Sequence, residues 1–219
     1  MFNKEKYLQI SSELPTGVKL LAATKTKPKE AVLEALSAGI ILFGENYVGE
    51  ATEKYQTMLH IVYSKEAKEP FFGAKIHLIG HLQSNKVKKA VELFDCIETI
   101  DSEKLAKKVN QAAIEQNKIM KVMIEVNFEE GKSGISVDKV EELAMKIREL
   151  KNVNLVGLMC VPKIGDEVNA FRAMQELKQK IGVSELSMGM SGDYKIAVQY
   201  GATIVRIGSL LFGEREKKN

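Results

Sequence analysis

Short apolar runs alternate with longer amphipathic stretches along almost the whole chain. The runs cover residues 18–23, 40–43, 76–79, 96–100, 122–126, 155–159, 185–188 and 203–207, and each has the length and composition of a buried strand. Between them, apolar residues recur at helical spacing. Val32, Leu33, Ala35 and Leu36 form one stripe, Leu105, Val109 and Ala112 another, and Val140, Leu143, Ala144, Ile147 and Leu150 a third. Phe171, Met174, Leu177 and Ile181 make a fourth, and further helices are expected near 47–59, through Val87 and Val91, and from about Gly192 to Tyr200. Pro28 sits where a helix begins and Gly39 where it stops. Ser84 and either Asp101 or Ser102 are candidate helix caps. An N-terminal helix over 4–14 is placed to close one end of the fold, and the polar stretch 64–70 reads as a solvated loop.

Strands alternating with helices imply an α/β fold with a parallel sheet. Eight such units in 219 residues point to a single (β/α)8 TIM barrel spanning 1–219. An open, doubly wound sheet is the alternative, because alternation alone does not specify closure. Composition changes this picture little. The chain is 45% hydrophobic and 28% charged, which is ordinary for a globular protein, and it has no linker-like or low-complexity tract. A net charge of +3 makes no case for nucleic acid or an acidic membrane surface. Cys96 and Cys160 stand far apart, outside any metal-binding spacing, and suit a reducing compartment. The mixed charges of the first residues lack a signal-peptide pattern, and no apolar run is long enough to span a bilayer. The expected location is the cytoplasm.

In a barrel the chemistry belongs at the carboxyl ends of the strands. That rule selects Thr24-Lys25-Thr26-Lys27, Gly44-Glu45-Asn46, the segment from Gly80 to Lys86, Asn127 with 131–134, the segment from Gly189 to Asp193, and Gly208-Ser209. The last two segments are rich in glycine and serine and precede helices, a combination that suits a phosphate. Lys25 ends an apolar strand, so its amine should point into the barrel mouth, where partial desolvation favours nucleophilic attack on an aldehyde; on sequence alone a plain surface lysine, with Lys27 and Lys29 following at once, is the stronger alternative. Arg206 lies within the apolar run 204–207 and needs either a carboxylate partner or a ligand. A phosphate clamp, an imine-forming lysine and a lone strand arginine together suit pyridoxal 5′-phosphate.

The segments 21–27, 43–47, 76–86, 186–193 and 204–208 occur in an order and form that resembles the pyridoxal phosphate homeostasis protein family, over roughly residues 18–213. The resemblance implies a single barrel like the N-terminal domain of alanine racemase. It implies that Lys25 bonds the cofactor aldehyde, that Ser187, Ser191, Gly208 and Ser209 lie in the phosphate-holding motifs, and that Arg206 faces the pyridine nitrogen. Asn46, His77 and Met159 fall in motifs lining the pocket. The chain departs from the family pattern at Thr24, Gly192 and Ser209, and its segment 161–167 is shorter than usual.

An arginine against the pyridine nitrogen disfavours the pyridinium form and weakens the ring as an electron sink. In the resembled racemases a further base comes from a second domain and subunit, for which eight βα units leave no room here. The first expectation is therefore a non-enzymatic holder of pyridoxal phosphate, a monomer or weak dimer, that releases the cofactor to apoenzymes. A small pyridoxal phosphate-dependent racemase or lyase is the alternative, with Tyr47 or His81 as the opposite base. A third is an enzyme for a phosphorylated metabolite that uses no cofactor. Lys86 and Lys132 share the expected site face and are candidate secondary acceptors, or plain surface charges.

Overall fold

A computed structural model describes residues 1–62 and 73–214, with the side chains of 56–62 left aside. The stretch 64–70 lies outside the described residues. After helix α1 (Lys4–Glu13), strands β1 (Lys19–Ala23), β2 (Leu42–Glu45), β3 (Lys75–Leu78) and β4 (Cys96–Ile100) are joined through α2 (Lys29–Ser37), α3 (Val48–Val62) and α4 (Val87–Leu93). Then come α5 (Glu103–Glu115), β5 (Met120–Asn127), a two-residue strand β6 (Ile135–Ser136), α6 (Val140–Arg148), β7 (Val153–Cys160) and α7 (Glu167–Ile181). The chain continues through β8 (Glu185–Ser187), α8 (Tyr194–Gln199), β9 (Ile204–Ile207) and α9 (Ser209–Phe212).

All pairings are parallel. The order runs β4-β3-β2-β1-β9-β8-β7-β5, and a β4–β5 pairing closes the ring. Closure removes every sheet edge, so the open-sheet alternative is excluded. The strand β6 hangs on the end of β5, with Val126 opposite Ile135; two residues are too short to register as a period.

Helix stripes account for the main core. Val140, Leu143, Ala144 and Ile147 of α6, and Phe171, Met174, Leu177 and Ile181 of α7, are all buried. Ser102 caps α5 by accepting the Leu105 N–H, Gly39 follows α2 at φ +101, and Gly182 ends α7 at φ +65. Ser84 opens a 3₁₀ turn (Ser84–Lys86) and caps nothing; α4 begins after it without a side-chain cap. A second, smaller cluster fills the barrel itself: Leu21, Leu42, Cys96, Met123, Met159 and Ile204.

Two expectations shift. The second strand runs 42–45, not 40–43, because Glu45 pairs in register with Leu78 and finds buried partners for its carboxylate. Helix α1 does not seal the barrel. Its Tyr7 and Ser11, with Leu14 beyond its end, form one wall of a cavity at the amino ends of the strands.

Candidate functional site

Strand alternation builds the carboxyl-end mouth. Side chains two apart share a face, so Leu21, in the barrel interior, sets the inward face of β1, and Lys25 stands in the turn two residues past the end of that strand. Lys25 is half-buried. Its neighbours are pinned from outside the barrel. Thr24, fully buried, donates its hydroxyl to Glu45 Oε1 at 2.8 Å. The Lys54 ammonium bonds the Thr24 carbonyl at 2.8 Å, Glu45 Oε1 at 2.7 Å and Glu50 Oε1 at 3.1 Å. Thr26 stands in left-handed backbone at φ +63 and donates its N–H to Glu50 Oε1 at 2.6 Å. That conformation costs a threonine about 1–2 kcal/mol, and the Glu50 bond helps to hold it. Lys27 then reaches the Phe212 carbonyl at 2.9 Å, tying the loop to α9. Burial pushes the Glu45 carboxyl above its ordinary range, against the opposing pull of Lys54. It also pushes the neighbouring Tyr55 hydroxyl well up.

Arg206 is the charged centre of the barrel. It is buried, and its Nη1 donates to the Ser187 carbonyl at 2.6 Å and the Ser187 hydroxyl at 2.9 Å. Its Nη2 donates to the Cys160 carbonyl at 2.7 Å. Among the described residues no carboxylate comes within ion-pair distance of it. Glu125 and Asp193 feel its charge, yet burial raises both carboxyls above their ordinary range. Ser187 is therefore wired to Arg206 through its hydroxyl.

The remaining expected residues surround these two. Gly208 follows β9 and lies against Ala23, since a Cβ there would meet the Ala23 carbonyl oxygen at 3.4 Å. Ser209, exposed, opens α9. Ser191 is half-buried in the turn before α8. That turn is shaped by Gly189 at φ +88, where a Cβ would stand 2.6 Å from that of Ala197. Asn46 is half-buried, with its Oδ1 enclosed and without a partner. The chain at Gly80 presses on it so closely that a Cβ would lie 2.2 Å from the Asn46 carbonyl oxygen. Met159 is packed in the barrel cluster.

His77 does not join this mouth. It shares a strand face with Lys75 and lines the cavity at the amino end, with Nδ1 2.6 Å from Glu98 Oε1. Its motif spans both ends of a four-residue strand, and the residue lies below the level of Ile79, which faces Gly44 inside the barrel. Tyr47 and His81 are exposed, and His81 Nδ1 stands 3.6 Å from Asp101. Lys86 and Lys132 are exposed as well.

Sequence reasoning missed the Glu45–Lys54–Glu50 network and the interior carboxylates Glu98 and Glu125. For the two carboxylates a signal existed: an acidic residue inside an apolar strand raises the same question as Arg206. For Lys54 none did, since a helical lysine reads as solvated.

A family model described as "Alanine racemase, N-terminal domain" matches residues 4–216. A pyridoxal phosphate homeostasis protein of Vibrio cholerae is 42% identical over 212 residues, covering 92% of this chain and 87% of that one. The chain belongs to the pyridoxal phosphate homeostasis protein family. Another member, from Pasteurella multocida, is 38% identical over 227 residues, covering 98% of this chain and 94% of its own. Among solved structures, PipY of Synechococcus elongatus PCC7942, described with PLP bound, superimposes with a TM-score of 0.85 at 34% identity, covering 96% of this chain and 99% of PipY. An alanine racemase of Clostridium difficile 630 superimposes with a TM-score of 0.73 at 15% identity, covering 98% of this chain and 57% of the racemase, a likeness of fold alone. The homeostasis family thus shares both the barrel and the chain length matched here.

Proposed function

We propose that the protein binds pyridoxal 5′-phosphate at the carboxyl-end mouth, holds it through Lys25 and serves intracellular homeostasis of the cofactor as a non-catalytic holder. The observation that carries this reading is Arg206, a buried guanidinium bonded to two carbonyls and a serine, with no carboxylate in ion-pair reach among the described residues. Asn46, whose buried Oδ1 lacks a partner, supports it from the end of β2, two strands from Arg206 around the ring. These residues fit the group: a cationic, polar-lined mouth, glycine and serine turns beside it, and an amine at its rim.

When bound, pyridoxal phosphate supplies an aldehyde that reacts reversibly with primary amines. Lys25 presents such an amine from a loop fixed on both sides. Arg206 keeps its protons under all ordinary conditions and offers only donors. It would give the ring nitrogen of a bound cofactor a hydrogen bond without a proton, which would work against carbanion chemistry. Ser191, Gly208 and Ser209 would take the phosphate, and Met159 would pack beneath the ring. Tyr47, 59% exposed, and His81 lack the fixed surroundings a general base needs. The proposal extends to apoenzymes as recipients and a cytoplasmic monomer or weak dimer. Among the described residues no helix is long and apolar enough to cross a membrane.

The test is cofactor uptake by the purified protein. A visible absorption band, trapped on Lys25 by borohydride and delivered to an apoenzyme faster than free-solution release allows, is the expected result. A protein that takes up no cofactor overturns the binding reading. Sustained amino-acid turnover that Lys25→Ala abolishes overturns the non-catalytic one and favours a racemase or lyase.

A further inference from the structure

The site at the carboxyl ends leaves the opposite end of the barrel without a role. There the structure holds a cavity of about 770 Å³ between α1 and the amino ends of the strands. Its size falls within the roughly 300–1,000 Å³ of small-molecule sites. Its depth is apolar: Leu42, Cys96, Met123 and Ile204 line it and belong to the interior cluster, with Val156 packed against that cluster. One wall carries His77, whose ring is fixed by Glu98 at 2.6 Å.

The rim has the opposite character. Lys19, Lys75 and Lys121 come from three different strands and all line the cavity. Glu185 is the one carboxylate among the lining residues, and it pairs with Lys19. Lys75 and Lys121 are exposed, with no carboxylate at ion-pair distance among the described residues. With Lys19 compensated by Glu185, the Lys75 and Lys121 ammoniums are left to focus a positive field into the mouth. Beneath them Met123 and Ile204 are packed shut, and the apolar surface still within reach of the cavity comes from the half-buried Val156 and the exposed Ile41. One occupant answers both features: an anionic head at the lysines and an apolar body against Val156 and Ile41.

We propose that the amino-end cavity is a second binding site, for a small amphipathic organic anion with a carboxylate or phosphate head on an apolar body. Lysine ammoniums act as point charges and do not separate those two heads, so both are tried. The site is independent of Lys25 and of the cofactor reading.

The experiment is calorimetric titration of the purified full chain with decanoate, decyl phosphate and decanol, each below its micelle concentration. Saturable binding of one equivalent of either anion is expected, at least tenfold tighter than decanol. Lys75→Glu combined with Lys121→Glu should weaken the anion at least tenfold, and because both side chains are exposed the fold should be retained. Val156→Trp, which fills the floor, should abolish binding while cofactor uptake by Lys25 persists. Absence of anion binding overturns the proposal. So does binding that decanol matches, or that survives the paired lysine reversal or the Val156→Trp filling.

Discussion

Lys54→Met is the most demanding perturbation the structure suggests. Lys54 is 8% exposed and its ammonium makes three contacts, to Glu45, Glu50 and the Thr24 carbonyl. Methionine keeps the stem and removes the charge. Glu45, with no exposed surface and with Oε2 already lacking a partner, then keeps, among the described residues, just its neutral neighbours, the hydroxyls of Thr24 and Tyr55. Breaking a buried pair from one side costs about 3–5 kcal/mol. At about 2–4 °C per kcal/mol for a chain of this size, the melting temperature should fall by roughly 6–20 °C. Glu45→Gln should cost much less, because Lys54 retains Glu50 and the Thr24 carbonyl while the Gln oxygen can still accept from Thr24. The double variant should be more stable than Lys54→Met alone, since no uncompensated carboxylate remains. The same network pins Thr24 and Thr26, so Lys54→Met should also speed amide exchange at Thr26 and Lys27, the two residues after Lys25, the proposed cofactor-holding position. Thermal or denaturant unfolding of the three variants and the parent decides the matter. A Lys54→Met protein within about 0.5 kcal/mol of the parent, the range of ordinary surface changes, or a double variant weaker than it, refutes the reasoning.

Three other outcomes follow from the same structure. Burial raises the Glu125 carboxyl above its reference of 4.5, so its contribution to stability is full below that value and is lost as pH rises through the folded one. Glu125→Gln, which can still accept from Ser133, should therefore gain stability over the parent at pH 7 relative to pH 4. Parallel unfolding midpoints at the two pH values would count against it. Burial pushes the Cys160 thiol up to about 12 and the Cys96 thiol well above its usual range, so neither should react with a thiol reagent at pH 8 until denaturant is added; two fast equivalents in the native protein would contradict this. Gly80→Ala places a Cβ on the Asn46 backbone at 2.2 Å. It should lower stability by about 1–3 kcal/mol as an overpacked site and weaken cofactor uptake, whereas Gly192→Ala, with open space around it, should do neither.

How much of the fold the sequence displays depends on how strongly each element repeats. The strand at 96–100 is found where Cys96, Ile97 and Ile100 place it, although Glu98 and Thr99 interrupt its apolar run. The α6 and α7 stripes fall on the buried faces because three or four turns of consistent period leave little freedom. Strand β2 is read two residues early, because Glu45 looks like a loop residue until Lys54, nine positions on, supplies its partner. Strand β6 has too few residues for any period. Ring closure rests on the β4–β5 pairing, a tertiary fact that alternation cannot carry. His77 shows the same limit for the site. Its motif is correctly associated with a strand of the barrel, but which end of the barrel a side chain serves depends on register, and register places it with Lys75 and Cys96.

Arg206 marks the point where sequence and structure together reach further than either alone. A charge inside an apolar strand requires a partner, and the sequence leaves open whether that partner is a carboxylate or a ligand. In the barrel the guanidinium is hydrogen-bonded by neutral acceptors, two carbonyls and a serine hydroxyl. Such bonds satisfy its donors without cancelling its charge. The nearby carboxyls of Glu125 and Asp193 do not restore neutrality at contact, and burial favours their protonated forms. The mouth therefore keeps a positive charge in a desolvated setting, with Lys25 half-buried in the turn that follows β1. A neutral metabolite would leave that charge uncompensated, whereas a phosphate-bearing aldehyde answers both the charge and the amine. The absence of an ion-pair partner, among the described residues, thus bears on ligand choice as directly as any glycine-rich turn.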